Sequence, residues 1–524
     1  MGTIGHRDRG TSVTELARAS YDVAIVGGGI YGAMLQLEAS RAGLRSVLVE
    51  RGDFGGATSE ASLRIVHGGL RYLRGLNVAR SVESTRERQW YAASMPQLVA
   101  SLPCLLPIYE RAGSPAAVLE LGLAANDILG AAVRYLDGMP ADVPRGHVVD
   151  ARTARKLAPA IPGQGLAGGA VWHDLQLRCP GRVIVEALRW SAQLGGVAAN
   201  YVEAVELLRS TGRVRGMAVV DANGTTAELA APVVVNAAGP WAGALAARWG
   251  AADAVLGPLV VAWNLLLDRP ALSDHAVALQ DPLATSRGML FATSLGGRLL
   301  IGTGYAPLGG RPCEAAEGVA EAELDGFLAS LNRCVPALDA ARRDILRIYS
   351  GVLPAAAPGS SVPRSRNVIV GRGPVGLFTV SGTKFTTARS AARRTLTAIR
   401  RSGAVSWPAP PRQTYPPCHA SVADGLFAPD WTLDDVEARA PSLERIVRQE
   451  AVEHLDDLVL RRTTLGDQPA RALGAARALC AFHEPWRLKW EQEVARLTAR
   501  LGWRHAARAM NRASRETAAI AKTA

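Results

Sequence analysis

The chain has 524 residues, 48% of them apolar, and a formal net charge of +12; it is long enough for roughly two to four domains with large cores, and its charge favours anionic ligands or surfaces. Six cysteines, at 104, 179, 313, 334, 418 and 480, lack C-x-x-C spacing, which argues against a zinc site or a disulfide framework and fits a reducing cytoplasm. No aromatic–basic module accompanies the charge, so nucleic-acid recognition has no support.

Residues 1–20 are polar and charged, show no signal-peptide pattern, and read as a flexible arm. Tyr21 to Val26 is a β-type run that ends directly in Gly27, and Gly27, Gly29 and Gly32 fit G-x-G-x-x-G. A helical pattern opens at Ile30 and Tyr31, and a second apolar run, Ser46–Val49, ends in Glu50 and Arg51. This is the strand, glycine turn, helix, strand and acid of a dinucleotide site. Gly27 permits the tight turn, Gly29 lets backbone approach a pyrophosphate, and Gly32 lets helix and strand pack closely. The helix N-terminus offers free N–H groups to phosphates, and Glu50 can accept from a ribose hydroxyl. The motif alone leaves FAD and NAD both open.

Residues 91–160 read as helix-rich. The apolar stretch 116–136 is interrupted by Glu120, Asn126 and Asp127 and reads as a buried or amphipathic helix rather than a membrane span. Arg182–Ser191 has helical periodicity, and Ala204–Leu229 alternates like a hairpin with turn signals at Thr211-Gly212 and Ala222-Asn223-Gly224. Pro232–Trp241 reads as a buried strand ending in a glycine turn at Ala238-Gly239. The runs Leu259–Leu267, Gly288–Thr293 and Arg298–Thr303 predict an antiparallel sheet, and 366–387 returns to strand, turn, strand and helix.

The predicted architecture is α/β: a Rossmann-like nucleotide-binding domain assembled from 21–90, 168–250 and 355–405, an inserted antiparallel-sheet substrate or cap domain over 91–167 and 251–354, and a helical C-terminal domain over 429–524. A proline-rich linker at 406–428 (WPAPPRQTYPP within it) separates the last of these. Leu443, Ile446, Val447, Ala451, Leu455 and Leu458 keep one helical face, as do Trp486, Trp490, Val494, Leu497 and Leu501. Arg496, Arg500, Arg504, Arg508 and Arg512 recur every four residues, either as a solvated face or as a dock for anionic lipid or an acidic partner.

The run GGATSEASLRIVHGGLRYL (Gly55–Leu73) resembles the flavin-contacting segment of FAD-dependent glycerol-3-phosphate dehydrogenases. So do NAAGPW (Asn236–Trp241), LIGT (Leu300–Thr303), SGTKFTTAR (Ser381–Arg389) and EAVEHLDDLVLRRTTLG (Glu450–Gly466). The resemblance spans about 21 to 500 and implies FAD as the cofactor and hydride removal from a secondary alcohol carbon. It leaves the electron acceptor, quinone or oxygen, open. Cofactor contacts are then expected from Gly27, Gly29, Ile30, Tyr31, Gly32, Glu50 and Arg51; from Thr58, Ser59, Ser62, Gly68 and Gly69; and from Ala238, Gly239, Gly382, Thr383, Lys384, Phe385 and Thr386. No metal is implied. Members that feed quinones sit on membranes, so the expected location is cytoplasmic, with peripheral contact through the basic C-terminal helix as an option.

Two departures from the family bear on the substrate. Where the family carries an arginine in a GVRP run that grips the substrate phosphate, this chain reads Gly351-Val352-Leu353-Pro354, and Leu353 forfeits a bidentate, charge-assisted contact. The family's K-G-S-H-type stretch, with a histidine as candidate base, falls at Val261-Ala262-Trp263-Asn264, and Asn264 does not take a proton at neutral pH. His67, Lys384 and Arg366 remain as candidate catalytic groups, with Arg71, Tyr72, Asn264 and Leu353 around the substrate. The expected substrate is a small polar or anionic C–OH compound other than glycerol 3-phosphate. An amine or amino-acid oxidase activity, which needs no strong protein base, and a catalytically decayed flavoprotein scaffold are the alternatives.

Overall fold

Val23–Val26 is apolar and buried at every position, the pattern of a parallel strand covered on both faces. In a computed structural model, which describes residues 13–70, 77–110, 116–137, 143–283, 289–310, 319–407, 414–415, 426–427 and 431–501, this strand is central to a six-stranded sheet. The order is Val368–Val370, Leu377–Ser381, Val234–Asn236, Val23–Val26, Ser46–Glu50, Val197–Asn200. All neighbours are parallel except the first pair. The helices Ile30–Arg41, Pro180–Gln193 and Ala388–Ser402 pack against one another and the sheet around Ile25, Leu48 and Val235. The opposite core joins Ala24, Val47 and Val234 to a three-stranded antiparallel sheet, Val202–Ser210, Arg213–Asp221 and Thr226–Ala230. The expected α/β architecture is therefore present.

The second large body is a nine-stranded sheet in which Leu259–Pro270 pairs antiparallel with both Arg298–Pro307 and Ile345–Pro354. Its other half contains Val99–Tyr109 and Leu166–Leu177, joined antiparallel over almost their whole length. Residues 168–177, grouped from the sequence with the nucleotide-binding pieces, thus belong to the large sheet. An apolar run such as Gly168–Trp172 carries no periodicity that assigns it to one sheet or the other; the pairing with residues 99–109 does. The antiparallel strands expected from 255–305 lie in this sheet as Leu259–Pro270, Leu290–Leu295 and Arg298–Pro307, with Gly288 of the expected run outside the described residues.

Residues 13–20 differ from the loose arm expected of them. Val13–Leu16 is a helical turn with both ends buried, and the Tyr21 hydroxyl donates to the Leu16 carbonyl at 3.0 Å. The stretch Ala116–Asp137 is one amphipathic helix, and among the described residues no helix is long and apolar enough to cross a membrane. The helical face expected across residues 443–458 is broken: Ala440–Gln449 ends before Ala451, which takes φ +52°, and a new helix opens at Leu455. The break accompanies burial of Glu450, which pairs with Arg182 of the first body.

The C-terminal helices are joined to the remainder by buried charge. Arg462 donates through both terminal nitrogens to Asp53 at 2.8 Å. Arg461 contacts Asp53, Glu60 at 3.0 Å, Asp456 at 3.1 Å and Asp457 at 2.7 Å. Burial pushes the Asp53 carboxyl up, but the two guanidinium charges outweigh it and hold the pKa down to about 2. Burial and the neighbouring Asp53 carboxylate instead push Asp457 up to about 6. Of the predicted arginine stripe, Arg496 and Arg500 turn inward to Asp456, because a fully buried carboxylate attracts them more than water does; Arg504, Arg508 and Arg512 lie outside the described residues.

Replacing Arg461 removes the one guanidinium shared by Asp53, Glu60, Asp456 and Asp457 and leaves these carboxylates with too little counter-charge. Arg461→Met is expected to lower unfolding free energy by about 3–5 kcal/mol, read from urea melts at pH 7. The folded pKa of Asp53 lies below the ~3.9 of an unfolded aspartate. Its share of the stability is therefore present above about pH 4 and is lost as pH falls through about 2.

Candidate cofactor and substrate cavity

The turn after Val23–Val26 is shaped by close backbone approach. Gly27 has φ +107°, and a Cβ on Gly32 would stand 1.8 Å from the Gly27 carbonyl oxygen, so only glycine lets the Ile30–Arg41 helix meet the strand here. A Cβ on Gly29 would meet only the Ser59 hydroxyl, at 3.2 Å; the space beside it is open. The helix begins at Ile30 with no cap from Gly29, and the Ile30 N–H donates to Ser59 Oγ at 3.1 Å. At the end of the next strand Glu50 is buried and accepts from Gly28 N–H at 2.7 Å and Gly52 N–H at 2.8 Å. Burial raises its pKa, with the two backbone donors opposing.

These groups line one cavity of about 1490 Å³. From Glu50, Arg51 and Trp241 it runs past Gly27, Gly29 and Ser59 to the 381–386 turn, and on to His67, Asn264 and Leu353 on the large sheet. Arg51 lies over the Trp241 ring, 4.2 Å from its centroid. Ile30, Tyr31, Thr58, Ser62, Ala238, Gly239, Gly382, Thr383, Lys384, Phe385 and Thr386 also line it. Tyr31 locks the second turn to the first: its hydroxyl accepts from Lys384 N–H at 3.2 Å and lies 2.9 Å from Asn367 Oδ1. The turn runs through 382–387, and its helix starts only at Ala388.

Several predicted residues serve elsewhere. Gly68 and Gly69 are not among the lining residues; they let the Val78–Ser94 helix approach, since a Cβ on Gly68 would stand 2.2 Å from Arg88 Nη1 and one on Gly69 would meet Ser81. Thr85 and Ser81 hydroxyls donate to their carbonyls. Arg366 is exposed and lines a different cleft, with Arg393 and Arg400, on the far side of the 382–387 turn. Asn264 borders the cavity, but its amide donates to the Ala61 carbonyl at 2.8 Å and accepts from Thr303 Oγ1 at 2.9 Å, so it joins sheet to loop. Thr58 does likewise, donating to the Val352 carbonyl at 2.8 Å. Arg71 and Tyr72 lie outside the described residues.

His67 has a partner that the sequence did not reveal. Asp174, in the middle of Leu166–Leu177 and almost wholly buried, lies 3.2 Å from His67 Nδ1 through Oδ2. Its carboxylate also accepts from Gly68 N–H at 2.6 Å and Trp172 Nε1 at 3.2 Å, with Arg88 at 3.6 Å. Burial raises the Asp174 pKa, but the hydrogen bond from His67 and the charges of His67 and Arg88 carry it below the usual carboxylate range. The only signal was an aspartate inside the apolar strand AVWHDLQL.

A helix that starts at a glycine turn, an acid at the tip of the neighbouring strand, and a long cavity continuing onto a second sheet define a dinucleotide-dependent oxidoreductase. Residues 22–397 match the family described as FAD dependent oxidoreductase, and the chain belongs to it; FAD is its cofactor. The open cradle at Gly29, the buried acceptor Glu50 and the cavity's length fit that molecule. The chain is 27% identical over 379 residues, 71% of its length, to the aerobic glycerol-3-phosphate dehydrogenase of Staphylococcus haemolyticus. It is 30% identical over 394 residues, 74% of its length, to glycerol-3-phosphate dehydrogenase 2 of Mycobacterium tuberculosis. The match spans 65% and 64% of those two relatives, less than two thirds of either. Among solved structures, the glycerol-3-phosphate dehydrogenase of Bacillus halodurans complexed with FAD superposes with a TM-score of 0.63 at 20% identity, over 96% of both chains; this shows the shared fold.

Gly32→Ala and Gly29→Ala separate folding from cofactor binding. Gly32→Ala is expected to lower the melting temperature of the apoprotein and its FAD content together. Gly29→Ala leaves the apoprotein melt unchanged but weakens FAD binding about tenfold or more, ~1.4 kcal/mol, measured by FAD titration.

Proposed function

We propose that this protein oxidises a C–OH carbon of a small polar or anionic substrate other than glycerol 3-phosphate. The observation that carries the reading is the His67–Asp174 pair on the wall of the cavity. FAD, when bound, supplies the acceptor for the hydride that leaves the substrate carbon. Asp174, held ionised, accepts a hydrogen bond from the His67 Nδ1–H and keeps the proton on that nitrogen, which leaves the Nε2 lone pair to take the hydroxyl proton as the carbon becomes a carbonyl. To Lys384, which lines the same cavity, we assign the positive charge that favours loss of the hydroxyl proton. Cofactor binding is assigned to the Gly27–Gly32 and 381–386 turns, Glu50, Arg51, Ser59 and Ala238-Gly239, and substrate binding to the large-sheet side around His67 and Leu353.

The reading departs from glycerol 3-phosphate because Leu353 stands in the wall without charge and Asn264 spends its amide within the protein. A basic C-terminal contact with anionic lipid, if made, falls to residues beyond Arg500, since Arg496 and Arg500 face Asp456.

The test is anaerobic flavin reduction by a library of hydroxy acids, polyols and their phosphates. With the substrate so found, His67→Gln is expected to slow reduction about 10²–10⁴-fold at unchanged FAD content, and Asp174→Asn to slow it less. A His67→Gln enzyme reduced at the wild-type rate contradicts the role given to this histidine.

A further inference from the structure

The strand that carries Leu353 does not simply end at Pro354. Residues 355–363 fold back as a short hairpin: Ala355 pairs antiparallel with Pro363, the Ala356 N–H donates to the Val362 carbonyl at 2.8 Å, and Gly359 at the tip takes φ +70°. The return delivers Arg364 beside the end of the same strand, its N–H donating to the Pro354 carbonyl at 2.7 Å. On its other side the Thr383 hydroxyl donates to the Arg364 carbonyl at 2.9 Å. The Arg364 backbone is thereby pinned between the strand bearing Leu353 and the glycine turn bearing Lys384.

Its side chain lines the same cavity as Leu353, Thr383 and Lys384. One terminal nitrogen, Nη2, donates to the Val255 carbonyl, whereas Nη1 is buried and has no hydrogen-bond partner. Buried N–H groups of this kind are seldom left unfilled. Among the described residues no carboxylate pairs with this guanidinium; burial alone shifts its pKa downward, with no anion opposing. A cation placed in a cavity wall without a counter-ion is suited to an anion that arrives from outside. Arg366, two residues on, is excluded from the role because it opens onto the other cleft.

We propose that Arg364 is the residue that grips the anionic end of the substrate, a carboxylate or phosphate oxyanion, in place of the arginine that position 353 lacks. This rests on the proposed oxidation of a small substrate in this cavity, and it adds to it where the anion sits.

The test uses the FAD-loaded enzyme and needs no turnover. Inorganic phosphate and, separately, acetate are titrated while the flavin absorption spectrum is followed. The wild type is expected to give a saturable spectral shift with one or both anions, and the responding anion distinguishes a phosphate from a carboxylate site. Arg364→Gln is expected to raise the dissociation constant about tenfold or more, ~1.4 kcal/mol, with Arg364→Lys intermediate, Arg366→Gln unchanged and FAD content equal in all. The proposal is overturned if neither anion perturbs the wild type, if Arg364→Gln binds as tightly as the wild type, or if Arg364→Gln loses FAD. An enzyme that binds anions through Arg364 yet oxidises no C–OH compound would sink the proposed activity and leave this inference standing.

Discussion

The carboxylate of Asp53, clamped between Arg461 and Arg462 in the protein interior, is the interaction on which the cavity's arrangement depends. Asp53 begins a long connection between the strand ending at Glu50 and the short strand Ile65–Val66, and every few residues of that connection are tied to a different part of the chain. Glu60 reaches Arg461, Thr58 reaches Val352, Ala61 reaches Asn264 and Arg64 pairs with Asp467; just past the short strand His67 meets Asp174. The connection thus hangs between the two sheets and the C-terminal helices at once. A segment of irregular backbone has little rigidity of its own; these anchors let it present Ser59, Ser62 and His67 at fixed places along the cavity.

The anchors are expensive ones. Ion pairs that are wholly dehydrated recover their desolvation cost only when each partner is hydrogen-bonded on several sides. Asp53, with two guanidinium partners and the Asn200 amide at 3.1 Å, meets that condition. Asp457 sits in the same cluster and carries the penalty, its pKa raised to about 6 by burial and by the Asp53 carboxylate. The C-terminal helices therefore act on the cavity through charge rather than by contributing much of its wall.

The nucleotide half of the cavity was legible because its constraints are local. Gly27 is demanded by its positive φ and Gly32 by backbone approach within one strand–turn–helix unit, Gly29 leaves open space beside the turn, and Glu50 ends the next strand within reach of Gly28. The substrate half depends on contacts between segments far apart in sequence. Nothing near His67 announces Asp174, 107 residues away, and nothing near Leu353 shows that the chain returns at Arg364. The paired glycines at 68 and 69 misled for the same reason: glycine signals close approach without saying by what, and the approaching element is the Val78–Ser94 helix. The arginines at 461 and 462 belonged to a recognisable C-terminal run, yet their partner Asp53 is visible only in the folded chain.

The cavity keeps the family's cofactor turns and a fixed histidine, and the proposed anion grip stands at Arg364 rather than at position 353. Anaerobic mixing of the FAD-loaded enzyme with glycerol 3-phosphate, beside short hydroxy acids and other polyol phosphates, tests this most directly through bleaching of the flavin absorption. The account predicts no appreciable reduction by micromolar glycerol 3-phosphate and rapid reduction by at least one of the other anions. Rapid bleaching by micromolar glycerol 3-phosphate contradicts it.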